Sequence, residues 1–174
     1  FVLVSGPPQT PLMVFQSQNV ADARIYGAEL KAGVDFGALS ERMEGWSLHG
    51  AVAYARGDNK TDDTPLNSVD PLRGTLGLAY DREAWGAELV GSFAERKKRP
   101  AEDSQYRPAG YGVLDLLAHW HFATGAQLNV GVLNLTDKKY TDWADVNGIL
   151  ESSAVLDRYT LPGRTLSASL SLNW

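Results

Sequence analysis

Apolar and polar residues alternate along most of this chain. Tyr26, Ala28, Leu30, Ala32, Val34 and Phe36 take every second position, with Gly27, Glu29, Lys31, Gly33 and Asp35 between them. The same period runs from Trp46 to Tyr54, Leu72 to Tyr80, Trp85 to Phe93 and Leu114 to Phe122. A weaker segment follows through Leu128, Val130, Val132 and Asn134, and the sequence stops on Leu166, Ala168, Leu170, Leu172 and Trp174. A period of two places one apolar face on each segment, and helical spacing fits none of them. The chain is therefore read as all-β. Residues 1–20 are expected to hold the end of one further strand and a Pro-rich loop.

The connections alternate as well. Short ones (Gly37 to Gly45, Asp81 to Ala84, Ala123 to Ala126) take turns with long ones (Arg56 to Pro71, Glu95 to Gly110, Thr136 to Gly163). An antiparallel up-and-down sheet with tight turns at one end and long loops at the other is the pattern of a transmembrane β-barrel of the outer membrane. The aromatics agree. Phe36, Trp46, Tyr80, Trp85, Phe122 and Trp174 all belong to the apolar set, and all lie beside a short turn or the last residue. Tyr26, Tyr54 and Phe93 belong to it at the long-loop end. From Trp46 to Tyr54, or Trp85 to Phe93, eight steps of roughly 3.3 Å tilted by about 40° climb about 20 Å, close to the apolar band between two aromatic girdles. The first group is thus expected to anchor the inner membrane interface, with Trp174 ending the strand that closes the barrel.

Composition narrows this reading only slightly. A formal charge of −5 argues against nucleic acid as a partner. With no cysteine there is neither a disulfide framework nor a thiolate metal site. The first residues have no charged n-region and no initiator methionine, as expected of a processed chain or a piece of a longer one. No phosphate-binding glycine loop, His-Glu-x-x-His motif or nucleophile elbow is found, and the chain is read as a non-enzyme.

At Gly131-Val-Leu-Asn-Leu-Thr-Asp-Lys-Lys-Tyr140 the sequence resembles the penultimate strand of TonB-dependent outer-membrane receptors. The stretches Tyr140-Thr-Asp-Trp-Ala-Asp-Val-Asn-Gly148 and Asp157-Arg-Tyr-Thr-Leu-Pro-Gly-Arg164 are similar to the haem/haemoglobin-type branch of that family. Upstream, Asn19-Val-Ala-Asp-Ala-Arg-Ile-Tyr-Gly-Ala-Glu-Leu30 matches another of its strands. The resemblance implies that residues 1–174 are the last seven to eight strands of a large plugged barrel in the bacterial outer membrane. The plug domain, the TonB box and the remaining strands are not in this sequence. It further implies active uptake of haem or another iron source, with TonB, the plug, membrane lipid, lipopolysaccharide and a haem or haem protein as partners. Haem would be cargo, and no cofactor is assigned to this segment. The alternative is a small eight-stranded barrel that closes on itself as a structural or anchoring module.

Candidate residues follow from the alternation. Glu29, Lys31, Asp35, Arg73, Glu88 and Asp115 fall on the polar side, as they must if a charge facing lipid costs about 2–4 kcal/mol at mid-membrane. They are read as facing the lumen or the plug. His119 and His121 flank Trp120 on that side and form a weak cofactor-binding pair, with hydrogen bonding as the plainer role. His49 is weaker still. The run Glu95-Arg-Lys-Lys-Arg99 leaves the outer interface and could meet lipopolysaccharide phosphates. In the last long loop Trp143, Asp157, Arg158 and Tyr159 stand out. Asp157 or Asp145 is expected to pair with Arg158 or Arg164 and fold the loop over the barrel mouth. Trp143 and Tyr159 would then pack against other loops rather than against cargo.

Overall fold

The computed structural model describes residues 2–5, 11–14 and 22–172. Two short strands, β1 (Val2–Ser5) and β2 (Pro11–Val14), pair antiparallel as their own sheet, where a single strand end was expected. The main body is built from β3 (Ala23–Asp35), β4 (Trp46–Asn59), the stub β5 (Thr64–Pro65), β6 (Arg73–Asp81), β7 (Trp85–Ala94), β8 (Tyr111–Ala123), β9 (Ala126–Leu133) and β10 (Thr165–Leu172). Seven of these follow one another as a continuous antiparallel meander, β3-β4-β6-β7-β8-β9-β10, with β5 attached to β4. Each alternating segment of the sequence has become a strand. The order β3 to β10 is an open path, and the self-closing eight-stranded barrel therefore does not describe this sheet. The terminal anchor Trp174 lies outside the described residues.

Tight turns sit where the short connections were expected. Between β8 and β9 the turn is Thr124-Gly125, and Gly125 has φ of 77°, a conformation that a Cβ disfavours. Gly45, with φ of 89°, brings the chain so close to the next turn that a Cβ would stand 2.4 Å from the Asp81 carbonyl oxygen. Its own carbonyl accepts the Asp81 N–H at 2.8 Å. That bond joins two neighbouring turns at the same end of the sheet.

Close approaches across glycines establish which side chains share a face. A Cβ on Gly77 would meet the His49 ring and the Glu88 carboxylate, and one on Gly86 would meet His119. Likewise a Cβ on Gly50 would meet Leu76, and one on Gly74 would meet Phe93. His49, Glu88 and His119 thus stand on one face, and Leu76 and Phe93 on the other. The aromatic row at the short-turn end is continuous from strand to strand: Trp46 and Tyr80 have ring centroids 5.0 Å apart, Tyr80 and Trp85 5.2 Å. Phe36 lies just past β3, in a 3-10 turn (Phe36–Ala38).

Burial is inverted relative to a water-soluble sheet. Leu30 is 66% exposed and Leu166 78%, and the exposed set includes Leu76, Leu89, Leu116, Trp120 and Leu170. Buried hydrophobics among the described residues are Val113, Ala126, Trp143 and Val146, of which the last two lie in a loop. No helix of the described residues is long and apolar enough to cross a membrane. An apolar face this extensive needs a nonaqueous medium against it.

The alternation misleads at one position. Asn134 continues the outward-facing set in sequence, yet β9 ends at Leu133 and Asn134 has φ of 50°. Its side chain turns inward to accept the Lys138 N–H at 2.8 Å and to donate to the Lys138 and Pro162 carbonyls. It is the hinge of the following loop, and asparagine suits it because its amide satisfies the backbone of a left-handed turn.

The two faces predict unequal responses to charge. Leu89→Lys places an ammonium at mid-strand on the apolar face and should cost about 2–4 kcal/mol, whereas Ser92→Lys on the other face should cost little. Urea titration of vesicle-reconstituted full-length protein measures both, and equal losses would contradict the assigned faces.

Candidate functional site at the long-loop end

Of the charges predicted for the polar face, Glu88 and Asp115 find partners there. Glu88 lies 3.1 Å from His49 across the open space left by Gly77. The Asp115 carboxylate accepts the Asn134 N–H at 2.7 Å and so tethers the loop hinge to β8. His119 stands 3.6 Å from Asp81, and the His119 and His121 rings meet edge-on at 5.2 Å. This histidine pair lies at the short-turn end, and among the described residues no three His, Cys, Asp or Glu side chains converge as a metal site. Glu29 and Lys31 lie mid-strand in β3, with Ala53 and Ala51 as their register partners.

The most elaborate polar arrangement is at the opposite end, where three long loops are tied together. Arg73, the first residue of β6, forks between two carboxylates. One guanidinium nitrogen donates to Asp70 and another to Asp142, each at 2.8 Å. Asp142 also accepts the Tyr111 hydroxyl at 2.7 Å and the Ala144 N–H at 3.0 Å, capping the one-turn helix α1 (Trp143–Val146). Burial pushes the Asp142 carboxyl up, but the hydrogen bonds from Tyr111 and Ala144 and the Arg73 charge outweigh it and hold the group below the usual carboxylate range.

Trp143 completes the lock. It is 2% exposed, and its indole N–H donates to the Asn67 carbonyl at 2.8 Å. The Lys97 ammonium lies 4.3 Å from the ring centroid and donates to the Val69 carbonyl at 2.5 Å. Burial lowers the pKa of Lys97, opposed by the nearby Asp70 charge. Asn67 accepts the Ala101 N–H at 2.8 Å, and the Tyr106 and Glu151 amides donate to the Ile149 and Ser104 carbonyls at 2.8 and 2.9 Å. Loops 60–72, 95–110 and 134–164 are therefore one hydrogen-bonded body over the sheet rim.

The expected pairing of Asp157 or Asp145 with Arg158 or Arg164 is not formed among the described residues. Asp157 meets Lys139 at 3.1 Å rather than Arg158 or Arg164. The reason is local: Leu156–Tyr159 is a 3-10 turn, in which successive side chains point in different directions and cannot face each other. Arg164 joins the loop through its backbone, its N–H donating to Asp137 at 2.8 Å. Trp143 packs against neighbouring loops, as expected, while Tyr159 is 36% exposed. Asn67, Tyr111 and Asp142 were not singled out from sequence, and Lys97, read within the basic run Glu95 to Arg99 as a contact for lipopolysaccharide phosphates, turns instead to the Trp143 ring and the Val69 carbonyl. Only Asp142 carried a signal, an acidic N-cap directly before Trp143.

The lock should respond to acid with a definite sign. The Asp142 carboxyl titrates lower in the folded protein than in the unfolded chain. Its contribution is therefore fully present above the ordinary carboxylate value of 3.8 and disappears as pH falls through the folded value. Protection of the residue 142–149 amides, taken relative to the unstructured rate at each pH, should hold from neutral pH down to about 4 and fall below it. Asp142→Asn should speed exchange about tenfold at neutral pH and flatten that dependence; an unchanged profile would remove Asp142 from the lock.

Comparison with known proteins agrees with this architecture. A family model described as "TonB dependent receptor-like, beta-barrel" matches residues 1–135. The chain is 25% identical to a probable hemoglobin and hemoglobin-haptoglobin-binding protein of Haemophilus influenzae, over 98% of this chain and 20% of that protein. It is 21% identical to a hemoglobin and hemoglobin-haptoglobin-binding protein of Haemophilus ducreyi, over 98% of this chain and 21% of that one. Among solved structures, the copper transporter OprC superposes with a TM-score of 0.76 at 28% identity, over 87% of this chain and 24% of that chain. The chain spans about a fifth of the length of the curated relatives it matches. An open meander, an outward apolar face, short turns at one end and joined loops at the other are what such a match requires, and the chain belongs to the TonB-dependent receptors of the bacterial outer membrane.

Proposed function

We propose that this chain forms barrel strands and part of the extracellular mouth of a receptor that takes up haem, from haemoglobin or a similar carrier, by TonB-dependent transport. The observation that carries the reading is the match of nearly the whole chain to proteins named for binding hemoglobin. The loop lock supports it, because capture of a protein-sized cargo needs a mouth whose loops hold their shape before contact. The free edges of β3 and β10 would be covered by further strands of the same receptor, since lipid tolerates no unpaired strand edge. The polar face, with Glu29, Lys31, Glu88 and the histidines, would line the lumen around a plug.

In this reading the last long loop shapes the vestibule without ligating iron. Trp143 is already saturated by Asn67 and Lys97 and has no surface left for cargo. A second reading, copper as cargo, has one point in its favour, the likeness to OprC. The intact receptor decides between them when titrated with haemoglobin, free haem and Cu(II). Haem should give an absorption band that saturates, and deletion of the gene should abolish growth on haemoglobin as sole iron source. Saturable Cu(II) binding with no haem band would sink the haem reading.

Trp143→Ala should leave the haem band in place while weakening haemoglobin capture about tenfold. Its loss removes about 3–5 kcal/mol of packing, part of which comes from the order of the mouth. Complete loss of the haem band in a normally folded variant would mean that the loop touches cargo.

A further inference from the structure

The polar face carries a second cluster at the short-turn end, away from the loop lock. Asp81, Gly86 and His119 are register partners across β6, β7 and β8, and so form one rung of three strands. Glycine is required in the middle of that rung, because a Cβ there would stand 2.5 Å from Cε1 of the His119 ring. The imidazole therefore lies across β7 and faces the Asp81 carboxylate, with Nε2 3.6 Å from Oδ1. His121 follows two residues along the same face, and its ring meets that of His119 edge-on at 5.2 Å. The His121 N–H donates to the Ala84 carbonyl at 2.8 Å, which brings the β6–β7 turn beside the pair.

None of these three side chains makes a hydrogen bond among the described residues. A separation of 3.6 Å is too long for one. It is close to the spacing of two donors on a single metal ion, since two bonds of about 2.1 Å at a tetrahedral angle put their donors about 3.4 Å apart. The strand is irregular at the same place. The β8–β9 register shifts between His121 and Ala123, and such a bulge re-aims the side chain beside it.

The neighbouring cation is turned away. Arg82 donates to the Tyr80 hydroxyl at 2.8 Å and pairs with Glu44 at 3.5 Å, beside the aromatic row of the opposite face. An open recess of about 840 Å³ is left between the turns and the two histidines, with Asp81 and Glu83 on its wall. It has room for an ion and its waters, and its charge favours a cation. His49 supplies the contrast on the same face. Its Nε2 is already 3.1 Å from Glu88, and it has no second histidine beside it.

We propose that Asp81, His119 and His121 form a site for one divalent transition-metal ion of the zinc class, with its fourth position open to water. His119 and Asp81 are spaced for it, whereas three groups do not converge as the side chains stand. His121 completes the set by turning its ring about the Cα–Cβ and Cβ–Cγ bonds, a motion its exposed position leaves free. Two imidazoles and a carboxylate suit zinc. The bound ion clamps β6 to β8 across β7, at the end of the sheet opposite the joined loops, whatever the receptor carries.

The test uses the intact receptor, freed of metal with a chelator and kept folded in detergent. It is titrated with Zn(II) in a calorimeter and with Co(II) as a spectroscopic stand-in. The wild type should bind one equivalent more than His119→Gln/His121→Gln. Co(II) in that equivalent should show the intense visible bands of a four-coordinate ion, absent from the double variant. Asp81→Asn should weaken the extra equivalent about tenfold or more, and His49→Gln should leave it unchanged. Metal sites elsewhere in the receptor are common to all these proteins and cancel in the comparison. Equal stoichiometry in the wild type and the double variant, full affinity in Asp81→Asn, or an equal loss in His49→Gln would each overturn the proposal. If the double variant does not reach the heat-modifiable folded form, His121→Gln alone serves, because that side chain holds nothing in the fold. It should still weaken the extra equivalent about tenfold and change the Co(II) spectrum; unchanged affinity would again overturn the proposal.

Discussion

One side of this sheet has no water, and the rest of the structure follows from that. In a hydrocarbon medium a backbone N–H or C=O has only another backbone group to pair with, so the strands must be long, in register and continuous. β3 and β4 meet residue for residue from Ala23↔Asn59 to Asp35↔Ser47, and the later pairs in the meander continue in register except for one shift between His121 and Ala123, where β8 turns into β9. The same medium forbids charge on the outward face and so imposes the alternation. It also removes the need for a conventional core. Among the described residues the buried apolar side chains are few, and Trp143 and Val146 belong to a loop.

Where the sheet rises out of the apolar band, the organising interaction changes from hydrophobic contrast to specific polar contacts. Water is available there, and a loop is held only by bonds that outcompete it. Arg73 supplies two of these from the first residue of β6, and Asp142 collects three donors while capping α1. Lys97 is buried yet bonded, between the Trp143 ring and a carbonyl of another loop. These bonds hold the three long loops in one arrangement above the rim of the sheet.

This division explains what could be read from sequence. A strand that crosses lipid announces itself locally: Trp46, Leu48, Val52 and Tyr54 define β4 with no knowledge of any partner. The outer end of β4 was missed because residues 55–59 lie above the band, where alternation is no longer enforced and Arg56 and Asp58 are tolerated. Asn134 was misassigned for the converse reason, a polar residue that kept the spacing of the outward set but served a turn. The loop lock was invisible because its partners are distant in the chain; Arg73 and Asp142 are 69 residues apart and Trp143 and Asn67 are 76. No spacing rule links such pairs. Asp157 was given the wrong partner because adjacency in sequence was taken for adjacency in space.

The most direct test of the two-faced sheet is a single-cysteine spin-label scan along β7, from Trp85 to Ala94, in the intact receptor in bilayers. The chain has no cysteine of its own, so each label in this segment is unique. Oxygen, which concentrates in lipid, should reach labels at positions 85, 87, 89, 91 and 93 more readily than those between them, with the maximum at position 89. A flat profile, or one with the opposite phase, would contradict the placement of lipid on the apolar face and the account built on it.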